Sequence, residues 1–268
     1  MSVFPLAPDV PPPGPLAGVG VLVTRPARQA AGLVAQLAAL GARPLVFPAI
    51  VILPPADTAA LERVHTALDR YDIAVFVSAN AVEYGVPAAG RWPARLRAFA
   101  PGPGTAAALA AAGVHGATIP ATTFDSEGLL ALPDLAQPAG KRVVIFRGDG
   151  GRELLGDTLK ARGATVDYVG CYRRAAPQSG AGGLVETLRE GRLHASTFTS
   201  SEGLDNLVAL LDAGALRRFK AIPAFVPHPR IAERAQALGF HAIATGGADA
   251  GLVAGLLEWF ASHPVTGP

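Results

Sequence analysis

Short apolar runs alternate along the chain with longer segments in which apolar residues recur at helical spacing. The runs are rich in β-branched residues and end at a polar residue or at proline: VGVLVT, IAVFVS, RVVIFR, ASTFTS and AFVP. The segment QAAGLVAQLAAL places Leu33, Leu37 and Leu40 on one face of a helix. Strand, short turn and helix in alternation predict an α/β protein with doubly wound parallel sheets, covered by helices on both faces.

The chain also repeats itself. DIAVFVSANAVEYGV, residues 72–86, matches HASTFTSSEGLDNLV, residues 194–208. Three further pairs match in the same order at nearly the same shift: 21–42 with 144–164, 101–113 with 227–239, and 117–130 with 241–253. So long a period predicts an internal duplication into two domain-sized copies rather than a solenoid.

Polar residues and glycines follow the predicted strands, where the helices begin. Ligands of parallel sheets bind beyond the carboxyl ends of the strands, and helix N-termini attract anions. The same residue types are ordinary N-caps, and capping is the simpler interpretation of any single position. Six such turns along two related sheets favour a binding surface, whose candidate residues are Arg25, Ser78, Asn80, Gly104, Thr105, Arg147, Gly148, Ser200, Ser201, His228 and Arg230.

Composition narrows the classes of function. A net charge of +2 is too small to indicate nucleic-acid binding. No apolar run approaches the ~18 residues of a membrane span, and the first residues do not resemble a signal peptide, so we expect a cytoplasmic protein. The single cysteine, Cys171, excludes an internal disulfide and a cysteine-built metal site. No pair of histidines has metal-ligand spacing either, so no metal is expected.

The motifs resemble those of the uroporphyrinogen-III synthase family over about residues 18–262. The matching segments are VLVTRPARQAAGLVAQLAALGARPLVFPAI, FVSANAVE, PGPGTAAAL, VVIFRGDGGRELLGDTLKARGATVDYVGCYRR and STFTSSEGLDNL. The resemblance implies two interleaved domains with the active site in the cleft between them. We expect one discontinuous domain formed by residues 18–48 and 178–262, and a second domain formed by residues 54–170. Residues 47–54 and 168–177 are the expected connectors, and residues 1–17 the expected disordered Pro-rich extension.

The resemblance also implies an activity. Enzymes of this family cyclise hydroxymethylbilane, a linear tetrapyrrole with eight carboxylates, with loss of water and inversion of the terminal ring. They need no cofactor. For this chain we expect a monomer that acts on this small molecule and binds neither nucleic acid nor membrane. Transient contact with the upstream hydroxymethylbilane synthase stays open.

Tyr172 is the catalytic residue that the resemblance implies, because the family carries a tyrosine at this place. Its phenol could donate a hydrogen bond to the departing hydroxyl, and a packing role is the alternative. The chain departs from the family pattern at Val77, where a threonine often stands, and at PHPR, residues 227–230, which replaces a Gly/Thr-rich turn. Arg230 could bind carboxylates there instead. The alternative function is a non-catalytic two-domain module that closes on a small anionic ligand.

Overall fold

The structure is a computed structural model that describes residues 14–87, 92–150 and 153–265. Most of the expected disordered extension, residues 1–13, lies outside these ranges. Residues 14–17 differ from that expectation because they are folded. Leu16 is fully buried, and its backbone N–H donates to the carbonyl of Leu40 at 2.9 Å.

The described residues contain ten strands and twelve α-helices. The strands are β1 (Gly20–Val23), β2 (Arg43–Val46), β3 (Val51–Leu53), β4 (Ile73–Phe76), β5 (Arg97–Phe99), β6 (Arg142–Gly148), β7 (Thr165–Ala175), β8 (Ala195–Thr197), β9 (Ala224–Val226) and β10 (Ala242–Ala244). The helices are α1 (Ala27–Ala39), α2 (Ala59–His65), α3 (Ala79–Gly85), α4 (Pro103–Ala111), α5 (Ser126–Leu130), α6 (Pro133–Ala136), α7 (Leu154–Ala161), α8 (Gly182–Arg189), α9 (Ser201–Leu210), α10 (Ala213–Lys220), α11 (Pro229–Ala237) and α12 (Asp249–Ser262).

The chain divides into two compact units. Among the described residues, the first unit contains those up to Val51 and those from Ala175 onward, and the second contains those from Ile52 to Arg174. The segments 47–54 and 168–177, expected as connectors, contribute β3 and much of β7 to the sheet of the second unit. None of the described helices is both long and apolar enough to span a membrane.

The first unit is built on a five-stranded sheet with the order β10-β9-β8-β1-β2, in which the pairs of neighbouring strands are parallel. The alternation along β1 sends its side chains to opposite faces. Val21 and Val23 pack with residues of α1 and α12, whereas Leu22 packs with residues of α8 to α11. Because helices cover both faces, the buried strands β1 and β9 are apolar throughout, whereas β8 also buries Ser196 and Thr197.

The second unit has a five-stranded sheet with the order β3-β7-β6-β4-β5. The pairs β4–β5, β4–β6 and β6–β7 are parallel. On one face, Phe76 and Phe146 stack with ring centroids 4.5 Å apart. Parallel strands end at the same edge of a sheet, so the turns after β4, β5 and β6 lie along one edge, the carboxyl edge of this sheet. The predicted α/β architecture with parallel sheets is confirmed.

Candidate active site

Tyr172 lies at the carboxyl edge of the second unit's sheet, and a β-bulge sets its direction. Arg147 pairs with Gly170, but the next residue, Gly148, pairs with Tyr172, so that Cys171 is the extra residue. A bulge re-aims the side chain that follows it. Cys171 and Tyr172 consequently pack in the same hydrophobic cluster although they are neighbours in a strand. The Asp149 N–H donates to the Tyr172 carbonyl at 2.9 Å and continues the pairing beyond the bulge.

The Tyr172 side chain is held from two sides. Its ring lies so close to Gly148 that a β-carbon there would stand 2.8 Å from Tyr172 Cζ. On the other side, the hydroxyl oxygen of Ser78 is 3.2 Å from the Tyr172 phenol oxygen. The Tyr84 ring is also near, with its centroid 6.3 Å from that of Tyr172. Only 5% of Tyr172 is exposed, so the phenol has a fixed position at the sheet edge.

Ser78 joins β4 to α3. Its extended backbone (φ −164°, ψ 166°) is that of an N-cap, and its hydroxyl accepts from the Ala81 N–H at 3.1 Å. The capping role considered from the sequence is therefore real, and the contact with Tyr172 is additional to it. Asn80, another candidate, is the second residue of the same helix and is half-buried.

The two terminal nitrogens of Arg147, near the end of β6, differ in their surroundings. One terminal nitrogen, Nη2, donates to Glu153 Oε1 at 2.7 Å, and the guanidinium lies 4.0 Å from the ring centroid of Tyr168. The hydrogen bond from Arg147 holds the pKa of Glu153 below its ordinary value. The other terminal nitrogen, Nη1, is buried and has no hydrogen-bond partner among the described residues. An unsatisfied buried donor on a cation is a site that an anion can fill.

The start of α4 and an exposed aromatic ring lie side by side at this edge. Gly102 caps α4, Gly104 has open space where a β-carbon would be, and Thr105 is buried. Phe124 packs directly on Gly102, since a β-carbon there would be 3.2 Å from Phe124 Cβ. Yet 54% of Phe124 is exposed, an unusual state for a large apolar residue. Phe124 is not among the residues predicted from the sequence, because it follows no predicted strand.

The remaining candidates lie in the first unit. Arg25 pairs with Asp249 at 2.7 Å. Ser200 caps α9, where it accepts from the Gly203 N–H at 3.0 Å, and Ser201 is the first residue of that helix. His228 and Arg230 share the turn at the start of α11.

His228 caps α11 through its imidazole ring. Nδ1 accepts from the Arg230 N–H at 3.2 Å, which requires a lone pair on that nitrogen. The neutral ring therefore carries its proton on Nε2, which is left as a donor on an exposed side chain. Arg230 is exposed as well.

The chemistry available in the described residues is that of hydrogen-bond donors and a phenol. Among the described residues, no group of three or more His, Cys, Asp or Glu side chains could hold a metal ion. Burial raises the pKa of the Cys171 thiol to about 12, which makes it a poor nucleophile at neutral pH.

Comparison with known proteins places the chain in a family. Residues 31–253 match the family model described as uroporphyrinogen-III synthase HemD. The uroporphyrinogen-III synthases of Salmonella typhimurium and Escherichia coli are 40% and 39% identical to the chain over 162 residues. Each alignment covers 59% of this chain and 66% of the relative, so the matched part spans slightly less than two thirds of these relatives.

A solved structure from this family has a similar fold. A mutant uroporphyrinogen III synthase of Thermus thermophilus superimposes with a TM-score of 0.57, over 91% of this chain and 99% of that one, at 19% identity. That identity supports the fold, and the family rests on the model match over more than half of the chain. The protein belongs to the uroporphyrinogen-III synthase family.

Proposed function

We propose that the protein is a uroporphyrinogen-III synthase, which closes hydroxymethylbilane into a macrocycle with its terminal ring inverted. The observation that carries the proposal is the Tyr172 phenol, fixed against Gly148 with its oxygen 3.2 Å from Ser78. Family membership supplies the substrate class, and the phenol supplies a proton donor where the reaction needs one.

The first step removes the terminal hydroxyl of the substrate. Tyr172 donates its proton as the C–O bond breaks, so that water leaves and an azafulvenium cation remains, stabilised by the pyrrole nitrogen. The substituted carbon of the last ring attacks this cation to form a spiro intermediate, which reopens and recloses. The proton that the last ring loses balances the one that Tyr172 gave, and the net loss is one water. The protein contributes mainly by orienting the bilane.

In the second unit, we propose that the donors at the carboxyl edge bind substrate carboxylates. The buried Nη1 of Arg147 is without a partner among the described residues, and a carboxylate would satisfy it. The first turn of α4, with Gly104 and Thr105, offers backbone N–H groups at the same carboxyl edge of the sheet. The exposed ring of Phe124 offers an apolar face for a pyrrole. Asn80 and Gly148 complete this set.

In the first unit, the proposed carboxylate ligands are donors at helix starts. Ser201 lies at the start of α9, which Ser200 caps, and His228, at the start of α11, is exposed and keeps its Nε2–H as a donor. Arg230 adds an exposed cation there. Arg25 is a weaker candidate because Asp249 already occupies one of its nitrogens.

We further infer that the two sheets derive from a duplicated segment. The sequence repeat equates β1, β2, β8 and β9 with β6, β7, β4 and β5. Under that correspondence the order β9-β8-β1-β2 in one sheet becomes β5-β4-β6-β7 in the other, which is the order found there. β10 also has a counterpart. Thr118 forms a parallel bridge to Phe99 of β5, in the place beside β5 that β10 takes beside β9. The expectations of a monomer and of a cytoplasmic location stay predictions.

The proposal is tested with enzymically generated hydroxymethylbilane. Purified protein is added as the bilane forms, and the oxidised products are separated into uroporphyrin isomers I and III. We expect isomer III to predominate, whereas heat-inactivated protein yields the spontaneous isomer I. Isomer I alone, together with measurable bilane binding, would instead identify a non-catalytic binding module.

A further inference from the structure

Ser78 occupies the centre of a short chain of hydrogen-bonding groups. Its hydroxyl oxygen is 3.1 Å from the Ala81 N–H and 3.2 Å from the phenol oxygen of Tyr172. A serine hydroxyl has one proton and two acceptor lone pairs. The Ala81 N–H uses one lone pair, so the contact with Tyr172 can run in either direction.

The direction of that contact decides what the phenol can do. If Tyr172 donates to Ser78, the phenol proton is occupied. If Ser78 donates to Tyr172, the phenol proton is free to point at a bound hydroxyl. In that hydrogen-bond chain the Ala81 N–H donates to Ser78, Ser78 donates to Tyr172, and Tyr172 donates to the substrate. Hydrogen bonds in such a chain polarise one another and strengthen the terminal donor.

We propose that Ser78 is a positioning residue that donates to the Tyr172 phenol oxygen during the reaction. In this role it directs the phenol proton at the leaving hydroxyl and stabilises the oxygen after the proton has gone. The inference rests on the proposed function, and it goes beyond it by naming the residue that makes Tyr172 an effective donor. Close packing of the ring on Gly148 keeps the phenol oxygen within reach of Ser78.

The sequence repeat provides an internal comparison. Ser200, the counterpart of Ser78, accepts from the Gly203 N–H at 3.0 Å and caps α9 in the same way. The counterpart of Tyr172 is Ile50, whose Cδ1 would be 3.7 Å from a β-carbon at Gly203. Both copies therefore have the capping serine beside this position, but isoleucine has no hydroxyl to receive a hydrogen bond. Capping explains both serines, and the additional role belongs to Ser78.

A double-mutant cycle separates positioning from capping. We expect Ser78→Ala to lower kcat by roughly 10-fold, the value of a hydrogen bond to a developing charge, with little change in KM. In the Tyr172→Phe background the same substitution should have no further effect on kcat, since its target is gone. Ser78→Thr keeps both the hydroxyl and the cap and should restore most of the activity.

Ser200→Ala is the matched control. It removes the same kind of cap. Whatever the size of its effect, the fold-change in kcat of the Ser200→Ala, Tyr172→Phe double variant should equal the product of the two single fold-changes. If Ser78→Ala also multiplies with Tyr172→Phe, Ser78 acts independently and the inference is wrong. If Ser78→Ala does not fold, Ser78→Gly replaces it in the cycle, because glycine is tolerated at an N-cap.

A spectroscopic measurement tests the contact without any turnover. Protein labelled at tyrosine ¹³Cζ gives one resonance for each tyrosine, and Tyr172→Phe identifies that of Tyr172. The resonance should move in Ser78→Ala, return in Ser78→Thr and stay in place in Ser200→Ala. An unmoved resonance in Ser78→Ala would overturn the inference. A protein without synthase activity that still shows the expected shifts would contradict the proposed function alone.

Discussion

The ring of Tyr172 packs against Gly148 so closely that no larger residue fits there without displacing it. A β-carbon at Gly148 would stand 2.8 Å from Tyr172 Cζ, 2.9 Å from Cε2 and 3.2 Å from the phenol oxygen. Gly148 does not have a positive φ, so the need for glycine at this position is one of space and not of backbone conformation. The bulge at Cys171 creates the contact, because it pairs Gly148 with Tyr172.

Replacing Gly148 with alanine should therefore move the phenol. We expect Gly148→Ala to lower kcat by roughly 10-fold or more, because a displaced donor loses a hydrogen bond of about 1.5–3 kcal/mol. Gly170→Ala is the control, since a β-carbon at Gly170, in the neighbouring strand β7, would meet nothing within 4 Å. Initial rates of isomer III formation measure both variants. Equal rates for both would show that the position of the phenol does not limit turnover.

Removing the phenol oxygen itself should have the largest effect of the single-atom changes at this edge. Tyr172→Phe keeps the ring and its packing, and we expect kcat to fall roughly 10- to 150-fold, which corresponds to about 1.5–3 kcal/mol of lost transition-state hydrogen bonding. Tyr84→Phe is the matched control, because it removes the neighbouring phenol, whose bond to the Ile52 carbonyl is 3.3 Å long. Near wild-type kcat in Tyr172→Phe would exclude the proton-donor role and leave orientation as the source of catalysis.

The exposed Phe124 should contribute to substrate binding. We expect Phe124→Asn to raise KM about 5- to 10-fold, because a pyrrole that stacks on the ring loses roughly 1–1.4 kcal/mol of apolar contact. Phe124→Leu keeps the apolar area without the aromatic face, so it separates stacking from simple burial. Thermal unfolding should hardly change in either variant, since 54% of the side chain is already exposed. An unchanged KM in Phe124→Asn would remove this residue from the proposed site.

Much of the fold could be predicted from the alternation of apolar runs and amphipathic helices. The runs around Val21, Val75 and Ile145 became buried strands of parallel sheets because their β-branched residues pack on both faces. Ser78 stands between a buried strand and a helix and caps that helix, as the simpler interpretation of its position predicts. Its role in the candidate site stays a prediction.

The details of the candidate site could not be predicted in this way. Strict alternation along β7 would send Cys171 and Tyr172 to opposite faces, and only the bulge places both in one cluster. A bulge depends on pairing with a distant strand, which the local pattern does not record. The ion-pair partners of charged residues could not be predicted either, because Arg25 pairs with Asp249, which lies near the other end of the sequence.

The stability of the first unit should depend on the protonation of His194. The backbone N–H of Gly20 donates to the ring nitrogen Nδ1 of His194 at 2.8 Å. The backbone N–H of His194 donates in turn to the Gly20 carbonyl at 2.8 Å, so the imidazole extends the pairing of β1 with β8. A protonated Nδ1 could not accept this bond. Burial, and then the charge of Arg43, lower the pKa of His194 below its ordinary value of 6.5.

The sign of the pH effect follows from that lowered pKa. Below about pH 6.5 the unfolded chain binds a proton at His194 more readily than the folded protein does, so the free energy of unfolding falls as the pH drops. We expect urea midpoints to decrease from about pH 7.5 to about pH 5.5, and to decrease less in His194→Asn, whose amide oxygen can accept the Gly20 N–H without titrating. Fluorescence of Trp259 in a Trp92→Phe background follows the first unit. Because the other histidines are common to both proteins, the difference between the two profiles belongs to His194. Parallel profiles would mean that its protonation is not linked to folding.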